Sequence, residues 1–181
     1  MALKATIFKA EVQVSDMDRQ YYGSHALTLA RHPSETDERL MVRLLAFCLY
    51  AGEGLRFGKG LSTEDEADLH EIDATGRIEH WIDVGTPDPR EVRKACGKAD
   101  RVTVLAYGRT AETWWRQHRE VLSGQSSLTV LLLPLAATET LAALASRTME
   151  IQCMVQDATV WFTCGDTTIE ICPQLQHPPP D

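Results

Sequence analysis

Apolar and polar residues alternate through residues 3–14. Leu3, Ala5, Ile7 and Lys9 fall on one side, and Lys4, Thr6, Phe8 and Ala10 on the other, before Val12 and Val14. A period of two predicts a strand. Ser15-Asp16-Met17-Asp18 supplies turn chemistry, and Tyr21 to Arg31 reads as a second strand with His25, Leu27 and Leu29 on one face. A β-hairpin therefore opens the fold. The period then changes. Leu40, Met41, Leu44, Leu45 and Cys48 form a helical stripe that runs to Tyr50 and stops at Gly52 and Gly54. Ser34 after Pro33 reads as its N-cap, with Glu35, Asp37 and Glu38 placing negative charge at the helix start. Leu55 through Leu61 reads as a short extended segment with glycine hinges.

The middle of the chain alternates between the two periods. Ala67 to Ile72 and Arg77 to Val84 read as strands joined at Thr75-Gly76, and Thr86 caps a helix with Pro87 at its first position, running to about Lys98. Arg101 to Tyr107 is a strand, Ala111 to Val121 an amphipathic helix, Ser127 to Leu133 a continuous apolar strand and Ala136 to Ala145 a short helix. The order β-α-β-α-β-α implies a core with parallel pairings. Three further alternating stretches follow, Met149 to Gln156, Val160 to Cys164 and Thr168 to Ile171, separated by turn residues. They predict antiparallel hairpins. The expected fold is one α/β domain of α+β character over residues 1–172, a central mixed sheet flanked by helices with hairpins at both ends. Residues 173–181, with three consecutive prolines, read as a disordered tail.

Composition narrows the picture. The 181 residues carry a net charge of −8, 44% hydrophobic and 24% charged residues, which suits a soluble globular domain and not a generic nucleic-acid coat. A nuclease stays admissible, because site carboxylates are masked by metal and a local basic face can steer the substrate. Five cysteines form no C-x-x-C pair, as expected of free thiols in a reducing cytoplasm. No apolar run is long enough for a membrane span, and the first residues lack a secretory h-region, so a cytoplasmic protein is expected. His25, His32, His70, His80, His118 and His177 show no zinc-ligand spacing with the cysteines. No phosphate-binding glycine loop, serine nucleophile elbow or zinc-protease motif occurs.

Candidate chemistry concentrates between Glu64 and Lys98. Asp68 enters one strand, and fifteen residues later Asp83 sits in the apolar run Ile78 to Val84. If Ile82 and Val84 face one core layer, Asp83 faces the other way with Trp81 and Gly85. A carboxylate there is costly unless paired, hydrogen-bonded or metal-bound. Two readings stand: Asp83 caps the following helix, or it joins Asp68 across a strand–turn–strand to hold Mg²⁺ or Mn²⁺. Asp68 alone would suit a solvated acidic turn. Glu35 and Glu38 either favour the helix dipole or, for Glu38, face the sheet as a further metal ligand. Lys59 lies between glycines on a loop leading to the acidic segment, and Arg90, Lys94 and Lys98 form one helical face that is either solvated or a phosphate-steering ridge. Trp114-Trp115 reads as packing in preference to a base-stacking platform.

Five segments carry a resemblance: Met1-Ala-Leu-Lys-Ala-Thr-Ile, Ala30-Arg-His-Pro-Ser-Glu-Thr-Asp-Glu-Arg, Lys59-Gly-Leu-Ser-Thr, Trp81-Ile-Asp-Val-Gly and Arg93-Lys-Ala-Cys-Gly. Together they resemble the bacterial YaeQ family over nearly the whole chain to about Phe162. That family is similar in fold to the PD-(D/E)xK nuclease superfamily, which implies a restriction-endonuclease-like core. The resemblance implies that Asp68 takes the place of the motif's first aspartate, with Ala67 where proline would stand, and Asp83 that of the second acid. Gly85 stands where the lysine belongs. The missing amine is then expected from Lys94 on the next helix, with Lys98 and Lys59 as further candidates. Glu38 or Glu35 matches the glutamate of the first core helix. Implied are a Mg²⁺- or Mn²⁺-dependent nuclease using Asp68, Asp83, Glu38 and Lys94 on DNA or RNA, or a non-catalytic protein that binds a protein partner on a degenerate nuclease fold.

Overall fold

The computed structural model describes residues 4–59 and 65–178. The N-terminal hairpin pairs β1 (Thr6–Asp16) with β2 (Tyr21–Arg31) in an unbroken antiparallel register from Thr6↔Arg31 to Asp16↔Tyr21. Helix α1 (Asp37–Tyr50) follows, then β3 (Leu55–Phe57), β4 (Leu69–Ile72), β5 (Ile78–Val84), α2 (Pro89–Lys98), β6 (Ala99–Ala106), α3 (Ala111–Leu122), β7 (Leu128–Leu132) and α4 (Leu135–Ala143). The chain closes with β8 (Thr148–Gln156), β9 (Thr159–Cys164), β10 (Thr167–Ile171) and β11 (Gln174–His177).

Two mixed sheets form, where the periodicity alone implies one central sheet. The first has the order β10-β9-β8-β1-β2, and the second β11-β7-β6-β5-β4-β3. The C-terminal hairpins join the N-terminal hairpin through a parallel β1–β8 pairing, Lys9↔Thr148 to Asp16↔Val155. In the second sheet β5, β6 and β7 are mutually parallel with α2 and α3 as the crossovers, as the alternating order implies. The segment expected to be a tail instead adds β11 to the edge of β7, with Gln174↔Leu132 and His177↔Val130. Residues 60–64, which include the end of the expected extended segment, and residues 179–181 of the expected tail lie outside the described residues.

The layers follow from where the apolar faces go. One core takes the inward residues of β1, β8 and β9, the inner face of the second sheet (Leu69, Ile82, Val84, Leu105), and α1 and α4 between them. A second core lies on the opposite face, where Trp81, Val102, Val104 and Val130 meet Val92 and Ala95 of α2 and Trp114 and Leu122 of α3. Helix α1 is thus buried all round, with every residue from Leu40 to Cys48 inside. Its N-cap is Thr36, which accepts from the Arg39 N–H at 3.1 Å, and not Ser34. The next helix is likewise capped two residues late, by Asp88 with Pro89 at its start instead of Thr86 and Pro87.

Within that apolar run Arg43 is 2% exposed. Its guanidinium makes a two-pronged pair with Glu35, Nε to Oε1 at 2.8 Å and Nη2 to Oε2 at 3.0 Å, and reaches the Ala30 carbonyl of β2 at 3.1 Å. A buried ion pair is tolerable only when its hydrogen bonds are filled, and removing one partner strands the other charge. Glu35→Ala is expected to cost about 3–5 kcal/mol by urea denaturation. A loss under about 1 kcal/mol would show that the pair does not hold α1 in place.

Candidate active site

The site forms at the ends of β4 and β5. Leu69 pairs with Ile82, so the residues one step outward, Asp68 and Asp83, meet across the two strands. Each carboxylate reaches back to the other strand's backbone. The Asp68 N–H donates to Asp83 Oδ1 at 3.3 Å, and the Val84 N–H donates to Asp68 Oδ2 at 2.9 Å. Trp81 Nε1 donates to Asp83 Oδ2 at 2.9 Å, which fixes the second carboxylate from its own strand and confirms that Asp83 and Trp81 share a face. Asp68 Oδ1 accepts from Arg39 Nη2 of α1. Arg39 Nη1 also lies 3.4 Å from Glu35 Oε1, so the buried pair beneath α1 connects directly to the acidic pair.

Both carboxylates open into one cleft of about 630 Å³. Its wall carries Glu66, Asp68, Asp83, Asp88 and Glu91 against Arg39 and Arg90, so negative charge dominates. Arg90 is already tied to Asp88 at 2.9 Å. Burial, and then the Asp68 charge beside it, push the Asp83 carboxyl up to about 6, against the hydrogen bond from Trp81. A buried acid that is hard to ionise beside a second carboxylate is a place where a cation lowers the free energy.

Gly85 adopts φ of +101°, with its N–H still donating to Leu105 O at 2.9 Å. A Cβ there would stand 3.9 Å from the Tyr107 ring, so the space is open and the backbone is what resists a side chain. The backbone at Gly85 therefore disfavours any side chain, and the guanidinium beside Asp68 comes from Arg39 of α1. Gly58 has a different reason: its N–H donates to Asp68 O at 2.8 Å, and an added Cβ would fall 2.0 Å from the Ala67 carbonyl oxygen. That close approach seats the backbone on which Asp68 stands.

The remaining sequence candidates are not brought to the cleft. Lys94 Nζ lies 3.3 Å from Glu91 Oε1 with an exposed side chain, and Lys98 and Lys59 are exposed and line no part of it. Glu38 accepts from Thr138 Oγ1 of α4 at 2.9 Å, joining two core helices. Glu35 precedes the helix and is sealed by Arg43. Asp83 caps no helix, since α2 is capped by Asp88. Among the described residues no three His, Cys, Asp or Glu side chains gather as a metal cage. Asp68 and Asp83 are the carboxylates that could hold a hydrated divalent cation, through oxygens that already accept hydrogen bonds. Arg39 and Tyr107 of the cleft are not among the sequence candidates, although Glu35, Arg39 and Arg43 at spacings of four mark a charged line through an apolar helix.

A family model described as YaeQ protein matches residues 1–173. A Salmonella typhi protein named uncharacterized protein YaeQ is 45% identical over 172 residues, covering 94% of this chain and 95% of that one. Its namesake in Escherichia coli (strain K12) is 41% identical over the same span, with the same coverage of 94% and 95%. Among solved structures, the YaeQ protein from Xanthomonas axonopodis pv. citri superposes with a TM-score of 0.93 at 48% identity, covering 95% of this chain and 98% of that one. The YaeQ protein from Pseudomonas syringae gives 0.91 at 34%, covering 94% and 95%.

Two outcomes test the geometry. Gly85→Ala is expected to destabilise by about 1–2 kcal/mol through its left-handed backbone, read from the urea midpoint. The second concerns pH. Between about pH 4 and 6 the folded chain keeps a proton on Asp83 that the unfolded chain has released, so stability falls as pH rises through that window. Buried His80, lowered to about 4, contributes with the opposite sign. The wild-type profile minus that of Asp83→Asn is therefore expected to isolate the fall, and parallel profiles would refute the raised Asp83.

Proposed function

The chain belongs to the YaeQ family, and on that premise and the geometry above we propose that it is a divalent-metal-dependent phosphodiesterase acting on DNA or RNA, on a restriction-endonuclease-like core. The observation that carries this reading is the convergence of Asp68 and Asp83 from adjacent antiparallel strands into one cleft with a guanidinium on Asp68. Bound there, Mg²⁺ or Mn²⁺ supplies Lewis acidity and lowers the pKa of water. Asp68 and Asp83 hold the ion. Trp81 and the strand N–H groups keep both carboxylates in fixed rotamers. Arg39 contributes the positive charge that the backbone at Gly85 excludes, beside the point where negative charge grows on the phosphate. Arg90, exposed on the rim, meets the flanking phosphate of the strand. Lys94 takes no part, because its exposed side chain lines no part of the cleft and its ammonium is held at 3.3 Å by Glu91 on the rim. A cytoplasmic location belongs to the same proposal.

One observation favours a second reading, a non-catalytic protein that binds a protein partner. All four oxygens of Asp68 and Asp83 already accept hydrogen bonds within the chain. The two readings separate in one experiment. Purified protein is incubated with single- and double-stranded DNA and RNA in Mg²⁺ or Mn²⁺, with calorimetry of the ion alone. Cleavage abolished by chelator, lowered about 100-fold or more by Asp83→Ala and by Arg39→Ala, and unchanged by Lys94→Ala is the expected result. Neither ion binding nor cleavage leaves the non-catalytic reading standing.

A further inference from the structure

Tyr107 follows β6 directly and lines the cleft with Arg39, Asp68 and Asp83. Its ring packs on the inner core and stands over the turn after Asp83, 3.9 Å from where a Gly85 Cβ would be. The charged groups nearest to it are already paired. Arg39 bonds to Asp68 and Glu35, Asp68 to the Val84 N–H, Asp83 to Trp81, and Glu38 to Thr138. The Tyr107 hydroxyl makes no hydrogen bond to another described residue, and it is not sealed from solvent. Its O–H is therefore free to exchange water for an acceptor that enters the cleft.

We infer that the Tyr107 hydroxyl donates a hydrogen bond to a non-bridging oxygen of the phosphate held in the cleft, on the side served by Arg39. The inference rests on the phosphodiesterase reading, and it makes Tyr107 a substrate-contacting catalytic residue. Its proton stays on the phenol throughout. Burial, with Glu38, Glu35 and Asp68 nearby and Arg39 opposing, pushes the hydroxyl up to about 12, so it remains a donor across the physiological range. A donor placed where charge develops acts without reorganisation.

Tyr107→Phe removes the O–H and keeps the ring. Calorimetric titration of a phosphorothioate-linked dinucleotide in Mg²⁺ is expected to weaken about tenfold in this variant. The rate constant kcat for nucleic-acid cleavage is expected to fall about 10–100-fold, with an unchanged melting temperature. Wild-type affinity and kcat in Tyr107→Phe would overturn the inference. The two proposals fail separately. If the wild type binds the dinucleotide but cleaves nothing, the phosphodiesterase reading fails, and the binding loss in Tyr107→Phe still decides the role of Tyr107. Equal binding by both proteins, or binding by neither, overturns it.

Discussion

The molecule is organised around a line of charge that crosses its driest layer. From the Ala30 carbonyl of β2 it runs through Arg43, Glu35 and Arg39 to Asp68, and ends on the Val84 N–H of β5. Helix α1 lies between two sheets and has no solvent face to spare, so apolar contacts alone would leave its rotation and depth loosely specified. Paired guanidiniums and carboxylates tolerate burial only in one arrangement. That requirement holds the first sheet, the helix and the acidic strands in a single relation, and the cleft inherits its geometry from it.

The same line explains the character of the site. Two residues after Asp83 the backbone of Gly85 is left-handed, a conformation that disfavours any side chain there, a cationic one included. An arginine rooted in the core reaches the place from the opposite layer. It is shared between Asp68 and Glu35, while burial and then the Asp68 charge hold the Asp83 carboxyl up at about 6. Two carboxylates, one of them held largely out of water, thus share one cleft with a single guanidinium, and the function proposed for the site builds on that arrangement.

Much of this was legible residue by residue. The hairpin at Tyr21, the β-α-β order of the middle and the facing of Asp83 with Trp81 all follow from periods of two and 3.6. Errors gathered where one residue type suits several positions. Ser34 and Thr36, or Thr86 and Asp88, are all cap-forming types by composition, and the structure uses Thr36 and Asp88, whose side chains accept from the Arg39 and Arg90 N–H groups. Lys94 and Lys98 were attractive because they follow Asp83 closely, but helix α2 turns that face to water. Glu38 faces inward as its helical position suggests, yet it meets α4 and not the acids.

The sequence by itself determined the elements up to β10, together with the two acids and the strands beside them, because local periodicity and fifteen-residue spacing constrain neighbouring strands directly. Only the tertiary structure decided that the chain builds two sheets, joined by α1, with β1 and β8 parallel across some 140 residues of intervening chain. It also decided that the guanidinium on Asp68 is that of Arg39. Pairing between distant strands depends on which apolar faces can be covered together, and a guanidinium's partner depends on which buried carboxylates lie within its reach. Both are properties of the packed layers, and no stretch of chain short enough to be read locally contains them.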